Sequence, residues 1–474
     1  MLAEIKGLNE ECGVFAVWGH EDAAQLTYYG LHSLQHRGQE GTGIVASNGE
    51  ALHIEKGLGL VTEVLQEKQF ERLQGHAALG HVRYATQGDG GYENVQPLLF
   101  RSQSGGLALA HNGNLVNAHA LKHQLEAQGS ILQTTSDTEV IAHLIKRSGS
   151  LPLHDRIKQA LPMLKGAYAL VLMTEEQMFV AQDPRGLRPL SIGKLGDAYI
   201  VSSETCAFDV VGAEYIRDVE AGEMIVLDAD GMYSDRFAAP IQRTMCSMEY
   251  VYFSRPDSNI DGINVHSSRK RMGKELAVEA PIDADVVTGV PDSSISAAIG
   301  FAEQSGIPYE LGLIKNRYVG RTFIQPSQEL REQGVKMKLS AVRGIVEGKR
   351  VVMVDDSIVR GTTSKRIVRM LKEAGATEVH VRIGAPPIKN PCYYGIDTST
   401  KEELIAGSKS VEEIRELIEA DSLAFLSVEG LEEAIGKRDN TIKHGYCQAC
   451  FTGSYPTEIY PSTLHPHDKE EAKL

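Results

Sequence analysis

The 474-residue sequence has little cysteine, no long apolar run and no concentration of positive charge. No window of about 18 apolar residues occurs, so no membrane-spanning helix is expected. The first eleven residues, MLAEIKGLNEE, are acidic and lack an apolar centre, which excludes a secretory signal. These two absences predict a cytoplasmic protein. Six cysteines at wide, uneven spacing make no disulfide framework in that compartment. The formal net charge is −15 without a long basic run, which argues against nucleic acid and acidic membranes as partners. No internal repeat or low-complexity tract is present. What remains is a chain of ordinary apolar content, long enough for roughly two to four domains.

The stretch from Val351 to Ser364, VVMVDDSIVRGTTS, organises the second half. Val351, Val352, Met353 and Val354 suit a buried parallel strand. Asp355 and Asp356 follow, then the small-residue turn Arg360-Gly361-Thr362-Thr363-Ser364. A helix with Ile367, Val368, Met370 and Leu371 on one face comes next. A Gly/Thr turn between strand and helix places N–H groups and hydroxyls around an anion. The paired carboxylates can accept from two adjacent hydroxyls or hold a divalent metal. Vicinal hydroxyls and a phosphate on one ligand describe a ribose 5-phosphate. The competing reading is a strand end with two solvated Asp residues. The stretch resembles the binding signature of the type I phosphoribosyltransferases, which bind phosphoribosyl pyrophosphate (PRPP).

That resemblance implies a doubly wound parallel sheet. It gives Asp355 and Asp356 to the ribose hydroxyls and Arg360, Gly361, Thr362, Thr363 and Ser364 to the 5-phosphate. By itself Pro291-Asp292-Ser293-Ser294 is only a turn between a strand at Ala284–Gly289 and a helix. In such an enzyme it resembles the pyrophosphate loop, with Asp292 and Ser293 on the ligand and Mg²⁺ shared by Ser293, Asp355 and Asp356. Lys315 to Gln328, KNRYVGRTFIQPSQ, reads either as a solvated loop or as a mobile flap. It resembles the flexible loop of glutamine PRPP amidotransferases, which assigns Lys315, Arg317 and Arg321 to the diphosphate, with Tyr318 and Phe323 sealing the site.

In the first half, Cys12 opens the apolar run CGVFAVWG. His36-Arg37-Gly38-Gln39-Glu40, His81-Val82-Arg83-Tyr84, His111-Asn112-Gly113-Asn114 and Ser136-Asp137-Thr138-Glu139 follow in order. Each has a plain alternative. Cys12 could be a core thiol, Arg83 a structural ion-pair partner and Asn112-Gly113 a turn. Asp137 could be a helix N-terminal charge, within an expected capping box of Ser136 and Glu139. Together they resemble the type 2 glutamine amidotransferases, N-terminal nucleophile hydrolases with a four-layer αββα fold. The resemblance implies a leader at 1–11, Cys12 as nucleophile with its own amine as base, and an oxyanion hole of Asn112 and Gly113. Arg83 and Asp137 would hold the glutamine.

Cys246, Cys392 and the pair Cys447/Cys450 could bind zinc or an iron–sulfur cluster, or the pair could be a redox dithiol. Spacing does not choose. The four positions resemble the branch of glutamine PRPP amidotransferases with a cleaved leader and a structural [4Fe–4S] cluster. Cys206 is read as a packed thiol, and Glu249 to Pro256 as a strand leaving the first domain.

The whole chain is therefore expected to comprise a leader at 1–11, a glutaminase domain at 12–235 and a phosphoribosyltransferase domain at 236–474. The resemblance implies two active sites joined by ammonia, Mg²⁺ and [4Fe–4S] as cofactors, purine nucleotide feedback inhibitors and a homotetramer. The rivals are another type 2 amidotransferase, a base-salvage phosphoribosyltransferase and a PRPP-sensing regulator that binds without catalysis. The Val351–Ser364 stretch opposes the first. The second would not need the first half. The third needs a nucleic-acid surface, which the acidic balance does not supply.

Overall fold

Strand β1 (Gly13–Trp18) is buried at every position. Such a strand needs cover on both faces and neighbours on both edges, and the computed structural model supplies both. It describes residues 12–84, 91–103, 105–147, 149–239, 241–316, 339–396, 401–436 and 445–460. The remaining strands of the first half are β2 (Gly41–Ser47), β3 (Leu52–Leu58), β4 (Ala77–Arg83), β5 (Leu98–Ser102), β6 (Gly105–Leu115), β7 (Gly166–Met173), β8 (Met178–Gln182), β9 (Ser191–Leu195), β10 (Ala198–Ser202), β11 (Glu214–Asp218), β12 (Glu223–Asp228) and β13 (Gly231–Arg236). They form two antiparallel sheets, β11-β9-β10-β1-β4-β2-β3 and β13-β12-β8-β7-β6-β5.

Val14, Ala16, Val45 and Leu79 from the first sheet meet Ala110, Ala169, Val171 and Ile225 from the second. Helices Ala23–Ser33 and Cys206–Val211 cover the outer face of the seven-stranded sheet. Helices Ala118–Ala127, Thr138–Arg147 and Leu153–Ala160 cover the other. The layers are helix, sheet, sheet, helix, as the resemblance implies.

The alternative reading of Asn112-Gly113 as a turn does not hold, because both residues lie in strand. β6 runs on to Leu115, with Asn112 opposite Ala169 and Gly113 opposite Tyr168. The capping box at Ser136 also does not form. Ser136 N–H donates to Asn94 Oδ1 (3.0 Å), and Glu139 instead accepts from Gln133 N (2.9 Å) and Thr134 N (2.7 Å).

In the second half, Val286–Gly289, Arg350–Asp355, Glu378–Ile383 and Ser422–Phe425 form a parallel sheet in that order. Period-two alternation sends Val352 and Val354 to one core and Val351 and Met353 to the other. Helices Val265–Glu279, Ile295–Ser305 and Val428–Ile435 pack on one face, and Thr362–Glu373 and Val411–Ile418 on the other. The sheet is doubly wound, as expected. The expected strand at Glu249 to Pro256 is instead a π-helical turn, Glu249–Phe253, closed by Ser254 N–H donating to Glu249 O (3.1 Å). Glu249, Tyr250, Val251 and Phe253 are all buried in it. Thr244–Cys246 pairs in parallel with Gly445–Cys447, tying the C-terminal segment to the junction between the halves. Among the described residues no helix is long and apolar enough to cross a membrane.

Candidate active sites

Register brings the predicted glutamine-site residues to one end of the first half. Gly13 of β1 lies opposite Val82 of β4, so Cys12 and Arg83 sit at the same strand ends. Cys12 is 8% exposed, its thiol donates to Tyr84 O (3.5 Å), and its own carbonyl accepts from Arg37 Nε (3.2 Å). Buried His81 on β4 contacts His111 O on β6 through Nε2 (3.2 Å), drawing the Arg83 and Asn112 strands together. Asn112 is wholly buried, yet neither atom of its side-chain amide has a hydrogen-bond partner. Such a group is costly unless something else satisfies it. Gly113 has φ +136°, and a Cβ there would lie 2.2 Å from Ala167 O. Only glycine fits. Asp137 accepts from Leu115 N (2.9 Å) and stands 3.7 Å from His111 Nδ1.

Beneath this end lies a buried ionic group that joins Arg37, from the His36–Glu40 segment, to residues that no local sequence pattern links with it. Arg37 donates to Glu204 Oε1 (2.6 Å) and to both oxygens of Glu249 (3.0 and 2.8 Å), all three side chains being fully buried. Burial alone would raise the Glu204 carboxyl, but the charges and hydrogen bonds of His36 and Arg37 hold it well below the usual carboxylate range. Cys206 sits nearby, in contact with Ser33 Oγ (3.8 Å) and Glu204 Oε2 (3.7 Å), and burial pushes its thiol up to about 12. It is a packed thiol, as read.

In the second half, Asp355 ends the central strand and is buried, and Asp356 follows it half-buried at the sheet end. The turn before helix Ile295–Ser305 meets them. Ser294 Oγ donates to Asp355 Oδ1 (3.0 Å), Ser293 Oγ donates to Asp356 Oδ2, and Ser357 Oγ donates to Asp356 Oδ1 (2.7 Å). Burial raises both carboxyls, and for Asp355 the neighbouring charge of Asp356 adds to it. Gly361, at φ +77°, opens helix Thr362–Glu373 and has no side chain to cap its first turn. The N–H groups of Thr362, Thr363 and Ser364 therefore face out at the strand ends. Arg360 pairs with Glu403. Lys315 Nζ donates to Asp292 Oδ2 (2.9 Å) at an exposed position. Arg317, Tyr318, Arg321 and Phe323 lie outside the described residues, as do residues 1–11, where a leader is expected.

Cys246, Cys392, Cys447 and Cys450 line one small cavity with Leu187, Arg188, Tyr394, Ile396 and Ala449. Burial pushes the Cys447 thiol up to about 12 and raises Cys450. Among the described residues no three His, Cys, Asp or Glu side chains are grouped as a single metal ion requires.

Models of the glutamine amidotransferase domain and the phosphoribosyl transferase domain match residues 81–210 and 269–391. Amidophosphoribosyltransferase of Bacillus subtilis (strain 168) is 73% identical over 471 residues, 99% of each chain. That of Staphylococcus aureus (strain COL) is 54% identical over 96% of this chain and 92% of its own. The chain belongs to the amidophosphoribosyltransferase family. A solved structure described as the allosteric regulatory enzyme of purine biosynthesis matches with a TM-score of 0.93 at 72% identity, over 97% of this chain and 99% of that one. The B. subtilis glutamine PRPP amidotransferase complexed with ADP and GMP matches at 0.92 and 72%, over 97% and 100%. Like other amidophosphoribosyltransferases, this enzyme turns PRPP, glutamine and water into 5-phosphoribosylamine, glutamate and pyrophosphate. That reaction is the first committed step of purine biosynthesis.

Proposed function

We propose that the two halves divide the reaction as the residues above imply, with a leader at 1–11, glutaminase at 12–235 and phosphoribosyl transfer at 236–474. With the leader removed, Cys12 carries a free α-amine of ordinary pKa near 8, able to take the proton of its own thiol. The thiolate attacks the glutamine amide while Arg83 holds the substrate carboxylate and Asp137 its ammonium. Asn112 Nδ2 and Gly113 N–H donate to the developing oxyanion. Ammonia then passes to C1 of PRPP. There Asp355 and Asp356 hold the ribose hydroxyls, the first turn of helix Thr362–Glu373 with Arg360 holds the 5-phosphate, and Asp292, Ser293, Lys315, Arg317 and Arg321 hold the pyrophosphate. Mg²⁺, bound by Ser293, Asp355, Asp356 and the ligand, would neutralise diphosphate charge as it leaves.

Four thiols around one otherwise mostly apolar cavity fit a [4Fe–4S] cluster. Tetrahedral zinc draws its sulfurs in at about 2.3 Å from one ion, whereas a cubane spreads them wider. The resemblance of the four cysteine positions to the cluster-bearing branch is what supports the cluster over zinc. Its contribution would be structural. The ADP and GMP in the B. subtilis complex support purine nucleotides as feedback ligands, and the family resemblance supports a homotetramer.

The observation that carries the reading is the buried, unmatched amide of Asn112 beside the obligatory glycine at 113. The test is pyrophosphate release from PRPP with glutamine, with ammonia and with neither. Cys12→Ala is expected to lose the glutamine reaction, keep the ammonia reaction and retain the leader. Equal loss of both would end the two-site assignment.

A further inference from the structure

We infer that Arg188 is a positioning residue for the glutamine site, setting the backbone of Gly113 by one arm and of Cys12 by another. The inference rests on the proposed roles of those two residues. Arg188 is fully buried on the loop between β8 and β9, in the wall of the four-thiol cavity.

Its first arm runs through the second half. Arg188 Nη2 donates to Tyr394 O (2.7 Å), and Asn114 Nδ2 donates to Tyr393 O (2.9 Å). These bonds press the segment Tyr393-Tyr394-Gly395 against the end of β6. Gly395, at φ +116°, comes so close that a Cβ there would lie 3.2 Å from the carbonyl carbon of Gly113 and 3.4 Å from Arg188 Nη2. The strap thus backs the peptide next to the proposed oxyanion donor.

The second arm is ionic. Arg188 Nη1 stands 3.6 Å from Glu249 Oε1. The same Glu249 oxygen accepts from Arg37 Nη2 (2.8 Å), and Arg37 Nε donates to Cys12 O (3.2 Å). Arg37, Arg188, Glu204 and Glu249 are fully buried, two cations against two anions. Removing one partner from such a group leaves an uncompensated charge and forces its neighbours to move. The groups at the far ends are a nucleophile and an oxyanion donor, which tolerate little displacement: about 1 Å costs roughly a hundredfold in rate. Arg188 touches neither reacting atom. It fixes the distance between the elements that do, and two of the residues it acts through, Glu249 and Tyr394, belong to the second half.

The variants are Arg188→Lys, which keeps the charge but loses the fork, Arg188→Met, and Asn114→Ala, which removes one bond from the first arm only. Each is assayed as the mature full chain for glutamine kcat and KM and for ammonia-dependent pyrophosphate release. The labelling rate of Cys12 by a glutamine-shaped diazoketone is compared with that by iodoacetamide, which needs no oxyanion donors. Both Arg188 variants are expected to lose roughly tenfold to a hundredfold in glutamine kcat, with KM for glutamine and the ammonia reaction unchanged. Diazoketone labelling should slow in step while iodoacetamide labelling does not, and Asn114→Ala should show the same pattern more weakly. A parallel fall in ammonia-dependent activity, a rise in glutamine KM alone, or wild-type labelling by both reagents would overturn the inference. Failure of the diazoketone to label Cys12 in the unmodified protein would instead overturn the nucleophile assignment beneath it.

Discussion

Two carboxylates side by side, Asp355 buried and Asp356 half-buried, weaken a fold unless hydroxyls, cations or protons answer them. Here the serine hydroxyls of Ser293, Ser294 and Ser357 answer part of the demand, and the charge of Arg269 pulls the Asp356 carboxyl back down. The acceptor capacity left over is what a ribose diol or a hydrated Mg²⁺ would use. Asp→Asn turns one acceptor oxygen into a donor amide. Either variant should therefore raise the KM for PRPP with both glutamine and ammonia, by roughly tenfold to a hundredfold at about 1.5–3 kcal/mol per charged hydrogen bond. Glutamate release without PRPP should persist, since Cys12 lies in the other half. The ligand-free protein should melt higher, because the variant removes a charge from a crowded buried pair. Steady-state kinetics over a PRPP titration, with a thermal melt, checks both. Wild-type PRPP dependence in both variants would mean that these are merely strand-end carboxylates.

At the scale of elements, the sequence was most legible where one segment carries its own signal. The run from Val351, the acidic pair and the glycine turn are contiguous, so strand, site and helix could be read together. Asn112-Gly113 was ambiguous because the dipeptide favours turns, and only pairing with β7 makes it strand. Glu249-Tyr250-Val251-Tyr252-Phe253 looks like a strand by propensity, but it forms a π-helical turn whose Glu249 side chain is tied by tertiary partners, Arg37 and Ser254. The Arg37–Glu249 and Arg188–Tyr394 contacts span 212 and 206 positions, beyond any spacing rule. The seam between β4 and β6 was equally hidden, and it makes a prediction. Burial lowers the His81 pKa from 6.5 to about 3, so the imidazole that bridges to His111 O stays neutral in the fold. The unfolded chain binds a proton near 6.5 and the folded chain does not. His81 therefore contributes stability that is present above pH 6.5 and lost as pH falls toward about 3, with a slope of about 1.4 kcal/mol per pH unit. Denaturant unfolding of wild type and His81→Gln between pH 4 and 7 should show a shallower acid loss in the variant. Parallel curves would show that the seam does not titrate.

At the scale of the whole molecule, the halves are laced together around the four thiols. Cys246 faces Cys447 across a parallel ladder, and Ser247 Oγ donates to Cys447 O (2.9 Å). Lys389 N and Asn390 N both donate to Cys450 O (2.9 and 3.0 Å), fixing the Cys392 segment against the last described helix, Ala449–Thr452. Tyr455 adds a hydrogen bond to Pro391 O (2.7 Å) and a ring contact with Tyr393. The thiols thus come from the domain junction, the loop after strand Glu378–Ile383 and the C-terminal segment, and the cavity wall includes Leu187 and Arg188 of the first half. A group bound there would bridge every part of the chain. Protein purified without oxygen should be brown and carry about four irons per chain, as a [4Fe–4S] cluster on four cysteines requires. Binding to the folded state alone adds its free energy to folding. Oxidative loss of the iron should therefore lower the melting of both halves together, rather than silence one site and leave the other. Cys206→Ser should keep its iron, because that thiol packs under β10 against Ser33 and Glu204. Each of Cys246→Ser, Cys392→Ser, Cys447→Ser and Cys450→Ser should lose it. Stoichiometric zinc without visible absorbance would refute the cluster, and iron loss that left the melting of either half unchanged would refute its bridging role.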